Sequence, residues 1–226
     1  MPAILVITAH PDDEAFGPAG TIARYAAQGV PVDVLAFTRG QYGTHESHLD
    51  TPEKLGRMRE FELRASCRVL GVRELYLLDY VDGRLDQEDP AELTRHVLDK
   101  LEATGADAVI TFGPLGITRH ADHIAVHKAT MAAVEGLART PRVFYGAVEG
   151  EWAKRLNVEG PEAEPTHAID MSDYFETKLM ALACHSSQDD SREFFSMLSQ
   201  GRQTEEHFYR ALPPAEPGRT YHDLFE

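Results

Sequence analysis

Short apolar runs alternate with longer amphipathic segments over the first two thirds of the chain. The apolar runs predict buried strands, at residues 4–8, 32–37, 75–78, 108–112 and 143–147. The amphipathic segments predict helices, at residues 18–27, 52–70, 90–103 and 123–138. Such alternation is typical of a doubly wound α/β fold, Rossmann-like, with a mostly parallel sheet and helices on both faces.

Capping residues support several of these boundaries. Thr51 before Pro52 predicts the start of the second helix, and Gly71 predicts its end. Pro18 lies early in the first helix, and Gly29 follows that helix. These positions are the ones that proline and glycine favour at helix ends.

The pattern weakens after about residue 148, and we expect an irregular C-terminal part. Residues 166–170 predict a short strand, residues 172–185 predict a helix capped by Ser172, and the tail from residue 203 has no clear pattern. Two segments rich in proline, glycine and glutamate, 160–165 and 213–218, predict exposed connectors. Both are too short to separate domains, so we expect residues 1–226 to form a single domain.

The chain is acidic, with 37 Asp and Glu against 22 Lys and Arg and a formal net charge of −15 at pH 7. This charge disfavours nucleic acid and anionic membrane surfaces as partners, because both require neutralisation of phosphates. The first apolar run ends within a few residues and has no basic segment before it, so we expect a cytoplasmic protein without a signal peptide. Cys67 and Cys184 lie in helical, apolar patterns and are expected to be reduced core residues. A homo-oligomer is compatible with the sequence.

Two clusters of metal-binding side chains directly follow predicted strands. His10, Asp12 and Asp13 follow the first strand, and His120 and His123 follow the fourth. Each cluster alone could be a solvated turn, but the carboxyl ends of parallel strands meet at one edge of the sheet. His10, one of the two carboxylates and one of the two other imidazoles would supply three zinc ligands. The remaining carboxylate would then serve as general base, and the remaining imidazole as general acid or oxyanion partner.

Other types of site find less support in the sequence. His123 and His127 have the spacing of a zincin helix, but Ile124 occupies the position of the catalytic Glu, so we expect His127 to pack or face solvent. No Gly-x-Ser-x-Gly, G-x-G-x-x-G or P-loop motif occurs. The polar segment 38–50, with His45, Glu46 and His48, predicts a loop over the strand ends.

The combination of motifs resembles the PIG-L/LmbE-like N-acetylglucosaminyl deacetylases. The matching residues include the hallmark Ala-His-Pro-Asp-Asp-Glu at 9–14 and extend to Thr38-Arg39-Gly40, Arg59, Glu62, Asp82-Gly83, His120–His123, Lys178, His185, Gln188 and Glu206-His207-Phe208. The resemblance implies a zinc-dependent N-deacetylase that acts on an amino sugar. Iron, cobalt or nickel would also suit such a ligand set.

The resemblance also assigns roles to individual residues. It implies that His10, Asp13 and His123 bind the metal. It implies that Asp12 is the general base, and that His120, oriented by Asp122, assists the oxyanion and the leaving amine. Four further residues are implied as substrate-binding: Arg59 and Asp82 would hold the sugar, whereas His185 and Gln188 would either contact it or form a structural cap beneath the site.

Three positions depart from the pattern of the family. Ala121 replaces a frequent Pro, Gln41 replaces a frequent Glu, and Thr118 occupies a position where some relatives have an active-site Tyr. The implied substrate is an N-acetylglucosamine conjugate, such as N-acetylglucosaminyl malate of the bacillithiol route. Another N-acyl amide or a mycothiol-type conjugate is the alternative within the same fold. A third possibility is a metal-containing carbohydrate-binding protein without turnover. The spare carboxylate of Asp12 argues against it, because binding alone does not require a general base.

Overall fold

The computed structural model of the chain describes residues 2–43, 49–201 and 204–226; His45, Glu46 and His48 lie outside these ranges. Its strands are β1 (Ile4–Thr8), β2 (Val32–Thr38), β3 (Glu74–Tyr80), β4 (Ala108–Thr111), β5 (Arg142–Ala147), β6 (His167–Asp170) and β7 (Glu205–Leu212). Its helices are α1 (Asp13–Phe16), α2 (Ala19–Ala27), α3 (Pro52–Leu70), α4 (Pro90–Thr104), α5 (Gly116–Arg119), α6 (Ala121–Glu135), α7 (Gly150–Leu156), α8 (Phe175–Cys184) and α9 (Asp189–Gln200). Short 3₁₀ helices occur at Leu85–Gln87, Gly160–Ala163 and Ser172–Tyr174.

The strands described form one sheet in the order β3-β2-β1-β4-β5-β7-β6. β1 pairs in parallel with β2 on one side and with β4 on the other, so the order of the strands reverses at β1. A crevice forms at such a reversal, outside the carboxyl ends of the two central strands. The residues that follow β1 and β4 therefore meet there.

Helices cover both faces of the sheet, as the strand pattern predicts. The side chains of Ile4 and Val6 point into a core formed with α2, α3 and α8. Leu5 and Ile7 point the opposite way, into a second core formed with α4 and α6. Because both faces of β1 are buried, the strand is apolar throughout rather than alternating. The doubly wound α/β fold is thus confirmed.

Helix boundaries set by local capping chemistry agree best with the sequence analysis. The hydroxyl of Thr51 accepts the Lys54 amide at 3.3 Å, and Gly71 ends α3 with φ of 76°. The helix predicted at 123–138 begins two residues earlier, at Ala121, because His120 acts as its N-cap.

The C-terminal part is more regular than expected. β7 lies antiparallel between β5 and β6, and α7 and α9 are further elements that the pattern did not predict. Ser172 begins a 3₁₀ turn, and α8 starts only at Phe175. Glu206 of β7 accepts the amides of Gly20 and Thr21 at the start of α2, at 2.9 and 2.7 Å.

Burial corrects two expectations from the sequence. The connector at 213–218 is mostly exposed as predicted, but in the other connector Glu162 has no exposed surface, because its carboxylate bonds the main chain of another loop. Cys67 is buried and Cys184 only half-buried, and both are free thiols. In the part of the chain described, no helix is long and apolar enough to cross a membrane.

Candidate metal centre and catalytic groups

The first cluster is a tight turn between β1 and α1. Oδ2 of Asp13 accepts the amides of Ala9 and His10 at 3.0 and 2.8 Å and so closes the turn. Its Oδ1 lies 3.4 Å from Nε2 of His123. One carboxylate oxygen therefore shapes the main chain, and the other faces the second cluster.

The main chain of Asp12 is held in an unfavourable conformation. Its φ of 104° is uncommon for any residue except glycine, and such conformations cost on the order of 1–3 kcal/mol. Oε2 of Glu14 accepts the Asp12 amide at 3.1 Å, within a fully buried environment. This bond stabilises the turn that directs the carboxylate of Asp12 into the crevice.

The second cluster is carried by a strained loop before α6, residues 113–120, and the single turn α5 is part of this loop. Ile117 and Arg119 have φ of 59° and 60°, in the left-handed region. Nδ1 of His120 accepts the amide of Asp122 at 3.2 Å, so that ring nitrogen carries no proton. Nε2 of His120 therefore carries the proton and is available as a donor. The contact between His120 and Asp122 runs through the Asp122 main chain and not through its carboxylate.

Three potential ligand atoms from the two clusters converge. Nδ1 of His10 lies 3.3 Å from Nε2 of His123 and 3.8 Å from Oδ2 of Asp13. Atoms that are about 2.0–2.2 Å from a tetrahedral zinc ion lie roughly 3.3–3.6 Å from one another. The two imidazole nitrogens have this spacing, whereas Asp13 approaches His10 with Oδ2 and His123 with Oδ1, so its carboxylate has to rotate for one oxygen to join them around an ion. His120 lies close by, with a ligand atom within 4.8 Å of those of His10 and His123.

The second ring nitrogen of His10 faces two carboxylates. Its Nε2 lies 3.0 Å from Oδ2 of Asp122 and 3.1 Å from Oδ1 of Asp82. Asp122 is itself fixed by the amides of Gly83 and Leu85, at 2.7 and 2.9 Å. Burial alone would lower the pKa of His10, but these carboxylates outweigh it and raise the pKa to about 10. The two carboxylates hold a proton on Nε2 and so direct Nδ1 towards Asp13 and His123, where a bound metal ion would take the place of the second proton of the ring.

Asp12 pairs with a buried arginine rather than with a histidine. Nη2 of Arg59 donates to Oδ2 of Asp12 at 2.8 Å and to the Pro11 carbonyl, while Nη1 donates to the Gly40 carbonyl at 2.8 Å. Burial raises the pKa of Asp12 to about 7, although Arg59 acts to lower it. Arg59 is 4% exposed, so most of its guanidinium is used to hold this turn.

Two residues considered as sugar contacts lie beneath the crevice. His185 has no exposed surface, and its Nε2 lies 2.7 Å from Oε1 of Glu14. Gln188 is 2% exposed and donates to the hydroxyl of Ser187 at 2.9 Å. Both side chains are therefore buried and bonded to other protein groups, and whether they also contact the substrate stays a prediction.

The crevice brings together most of the side chains singled out from the sequence: His10, Asp12, Asp13, Arg59, Asp82, His120, Asp122 and His123. His127 packs instead, since its Nδ1 lies 3.1 Å from the Phe112 carbonyl and its ring stands edge-on to Tyr145. Sequence reasoning gave no role to Glu14, Glu62 or Glu162, which are all buried. Glu14 and Glu62 lie within matched motifs, but no signal in the sequence marked Glu162.

Two curated bacterial proteins are similar to most of this chain. A probable N-acetyl-α-D-glucosaminyl L-malate deacetylase 2 of Bacillus anthracis is 33% identical, over 82% of this chain and 80% of its own length. A 1D-myo-inositol 2-acetamido-2-deoxy-α-D-glucopyranoside deacetylase of Actinosynnema mirum is 30% identical, over 99% of this chain and 96% of its own.

Solved structures share the fold at lower identity. The 4-carboxy-2-hydroxymuconate hydratase GalB of Pseudomonas putida superposes with a TM-score of 0.76 at 19% identity, over 96% of this chain and 99% of its own. The N,N'-diacetylchitobiose deacetylase of Pyrococcus horikoshii gives 0.71 at 24% identity, over 92% and 83%. Because a hydratase and a deacetylase share this architecture, the fold alone does not define the reaction.

The family profile is more specific than the fold. The profile described as PIG-L, GlcNAc-PI de-N-acetylase, matches residues 5–134, which include both clusters of the crevice. With the two similar curated sequences, this match shows that the chain belongs to the PIG-L family of N-acetylglucosaminyl deacetylases.

Proposed function

We propose that this protein is a zinc-dependent hydrolase that removes the N-acetyl group from an N-acetylglucosamine conjugate. The observation that supports this most directly is that His10 Nδ1 and His123 Nε2 lie 3.3 Å apart, with the two carboxylate oxygens of Asp13 beside them, at 3.8 Å from His10 and 3.4 Å from His123. Family membership indicates the same chemistry independently. Iron, cobalt or nickel could replace zinc, since imidazole and carboxylate ligands accept each of them.

The three ligands leave the neighbouring groups free for catalysis. A bound divalent ion supplies a Lewis acid and lowers the pKa of a water molecule in the site. Asp12 takes the proton of the attacking water, since it is the aspartate of the motif that the ligand set leaves unused, and the other remaining carboxylate, Glu14, is fully buried against His185. Arg59 holds Asp12 in place through the bond at 2.8 Å. His120, with its proton on Nε2, donates a hydrogen bond to the developing oxyanion, and the proton that Asp12 has taken from the water passes to the departing amine.

Asp82 is the residue best placed to contact the sugar. Its carboxylate is 9% exposed, accepts the Tyr42 amide at 2.9 Å and lies 3.1 Å from His10. It therefore reaches the crevice from a loop independent of both clusters. A hydroxyl of the sugar would donate to this carboxylate and position the amide, which lowers the entropic cost of the reaction.

Two exposed arginines favour an anionic conjugate such as the malate conjugate. Arg119 directly precedes His120, and Arg84 lies between the two residues whose amides hold Asp122. Arg119 has only a weak exposed pair, 3.9 Å from Glu159. In a chain with a net charge of −15, positive charge beside the site would suit carboxylates on the aglycone. A neutral inositol conjugate, as in mycothiol synthesis, is the alternative and would gain nothing from these side chains.

Amine release tests the reaction, with metal content measured on the same preparations. We expect zinc-loaded protein to release amine from N-acetylglucosaminyl malate. Asp12→Asn should retain the metal and lose roughly 10²–10⁴-fold in kcat, the scale for a general base. Sugar binding without amine release by the wild type would instead indicate a non-catalytic carbohydrate-binding protein, and loss of metal in Asp12→Asn would make Asp12 a ligand.

Arg119→Gln tests the choice of aglycone. It removes the charge and keeps an unbranched, polar side chain, although a shorter one. We expect kcat/KM to fall about tenfold on the malate conjugate, as expected for one charge-assisted hydrogen bond, and to stay within about twofold on the inositol conjugate. Equal effects on both substrates, or a wild-type preference for inositol, would contradict an anionic aglycone.

A further inference from the structure

The carboxylate of Glu162 is buried in contact with the loop that carries the second cluster. Its Oε2 accepts the amide of Leu115 at 3.0 Å, and its Oε1 accepts the amide of Ile117 at 2.8 Å. Glu162 has no exposed surface. The ion pairs of the described residues include none for this carboxylate, so two amide donors stabilise a charge that is costly to bury. Such an arrangement calls for a reason beyond stability.

The loop that Glu162 holds is strained. Gly116, Ile117 and Arg119 have φ of 63°, 59° and 60°, and side chains with a Cβ disfavour this region. Strained conformations persist only where the surrounding structure enforces them. The bonds from Glu162 fix the residues on both sides of Gly116. A Cβ at Gly113 would lie 2.4 Å from Cγ of Glu162, so the chain leaves room there for this side chain.

Gly116, which lies between the two bonded amides, contacts His123, one of the proposed metal ligands. The Gly116 carbonyl lies 3.1 Å from Nδ1 of His123. A carbonyl can only accept, so Nδ1 carries the proton and Nε2 is left unprotonated, directed at Asp13 and His10. The ring of His123 also stacks on Phe112, with centroids 3.9 Å apart. The position of the Gly116 carbonyl thus selects the tautomer that can bind a metal.

We propose that Glu162 is a positioning residue that sets the orientation and tautomer of His123. It acts through the amides of Leu115 and Ile117, which place the Gly116 carbonyl, and it does not touch substrate or metal. The 3₁₀ helix that carries it is anchored at the end of β5, where the Val148 amide donates to the Glu162 carbonyl at 2.8 Å. Direct hydrogen-bond partners of a metal ligand, as the Gly116 carbonyl is for His123, typically change metal affinity by about 10–100-fold when they are lost, and Glu162 acts by holding that carbonyl in place. The part of this inference that concerns metal affinity rests on the proposed function, whereas the part that concerns the tautomer of His123 does not.

Zinc affinity, measured by competition with a chelator, tests the metal part of the inference. Glu162→Gln keeps the shape but leaves one of the two amides facing an NH₂ group. We expect its zinc Kd to rise about 10–100-fold. Glu164→Gln, an exposed position two residues away, is the matched control and should keep the wild-type Kd.

The ring ¹⁵N signals of His123 in the metal-free protein give a second readout that needs neither zinc nor turnover. We expect the wild type and Glu164→Gln to show the tautomer protonated on Nδ1, and Glu162→Gln to show a mixture. If the wild type binds no divalent metal, the proposed function fails, and the ring signals still decide the role of Glu162.

One pattern of results would overturn the inference. Lower thermal stability of Glu162→Gln with an unchanged zinc Kd and an unchanged His123 tautomer would show that Glu162 only anchors the loop. If Glu162→Gln does not fold, Glu162→Asp supplies the same comparison, because it keeps both oxygens but is shorter by one methylene. Wild-type values for both readouts in Glu162→Asp would then count against the proposal.

Discussion

Oε1 of Glu14 lies 2.7 Å from Nε2 of His185, and neither side chain has any exposed surface. The same oxygen accepts the Ser66 hydroxyl at 2.5 Å, while the other oxygen accepts the Asp12 amide. The pair therefore links the end of α8 to the strained turn of the catalytic base. Because both side chains are fully buried, we expect the pair to control stability rather than substrate binding.

His185→Ala should destabilise the protein strongly. Removing one partner leaves the buried Glu14 carboxylate without its main counter-charge, which costs about 3 kcal/mol or more. Urea unfolding measures this, and Met180→Ala, at a position of the same helix that is 53% exposed, should stay within about 0.5 kcal/mol of wild type. Normal stability of His185→Ala together with a raised KM would instead indicate that His185 contacts the substrate.

His123→Ala should abolish stoichiometric metal binding. It removes one of three protein ligands, so zinc content and activity should fall together. His127→Ala, one turn later on α6, is the control, because that ring bonds the Phe112 carbonyl and packs on Tyr145. Elemental analysis of the two variants distinguishes them, and full zinc occupancy in His123→Ala would exclude this histidine as a ligand.

Arg59→Ala should impair all substrates alike. If Arg59 contacted only the sugar, its loss would lower activity on the N-acetylglucosamine conjugate alone. Its bonds to Asp12 and to the Pro11 carbonyl instead hold the proposed general base, which every substrate needs. We expect kcat to fall at least tenfold on the conjugate and on a simple N-acetylated amine, with zinc content unchanged. Arg57→Ala, an exposed neighbour on α3, is the control. A loss confined to the conjugate would favour direct contact with the sugar.

His167 should make stability depend on pH. Burial lowers its pKa to about 4, and Arg210 acts in the same direction. The unfolded chain binds this proton near pH 6.5 and the folded chain only near pH 4, so stability falls as the pH drops through that range, by roughly 2–4 kcal/mol. Unfolding of His167→Gln at pH 7 and at pH 4.5 should show a smaller difference than the wild type. Parallel losses in both proteins would assign the pH dependence to other groups.

The sequence predicted the parts of the fold that depend on local chemistry. Thr51 and Gly71 marked the ends of α3 correctly, because capping involves only neighbouring residues. β7 was missed for the opposite reason. Its buried positions include Glu206 and Arg210 beside Phe208, so the apolar alternation of a strand is absent. Glu206 is buried because Lys178 donates to it at 2.6 Å, and this partner is 28 residues away in sequence.

In the candidate site, too, the sequence predicted what depends on neighbouring residues and missed what depends on distant partners. The strand-end motifs identified which side chains meet, because parallel strands end at one edge of the sheet. They could not identify the partner of each ring nitrogen, since Asp122 reaches His10 across 112 residues. Glu162 lay in a segment of proline and glutamate that is usually solvated, and only its two long-range bonds to main-chain amides explain its burial. A single domain, a cytoplasmic location and a homo-oligomer stay predictions.

The bonds from Glu206 to Gly20 and Thr21 also affect the order of events during synthesis. The start of α2, directly after the motif at residues 9–14, receives these acceptors only when residue 206 has been added. Chains generally begin to fold from the N-terminus as they leave the ribosome. Here the motif at residues 9–14 depends on a strand that is made long after it, so the nascent chain completes this edge of the sheet only once β7 has been made. A ribosome stalled before β7 should therefore carry a chain that holds zinc poorly.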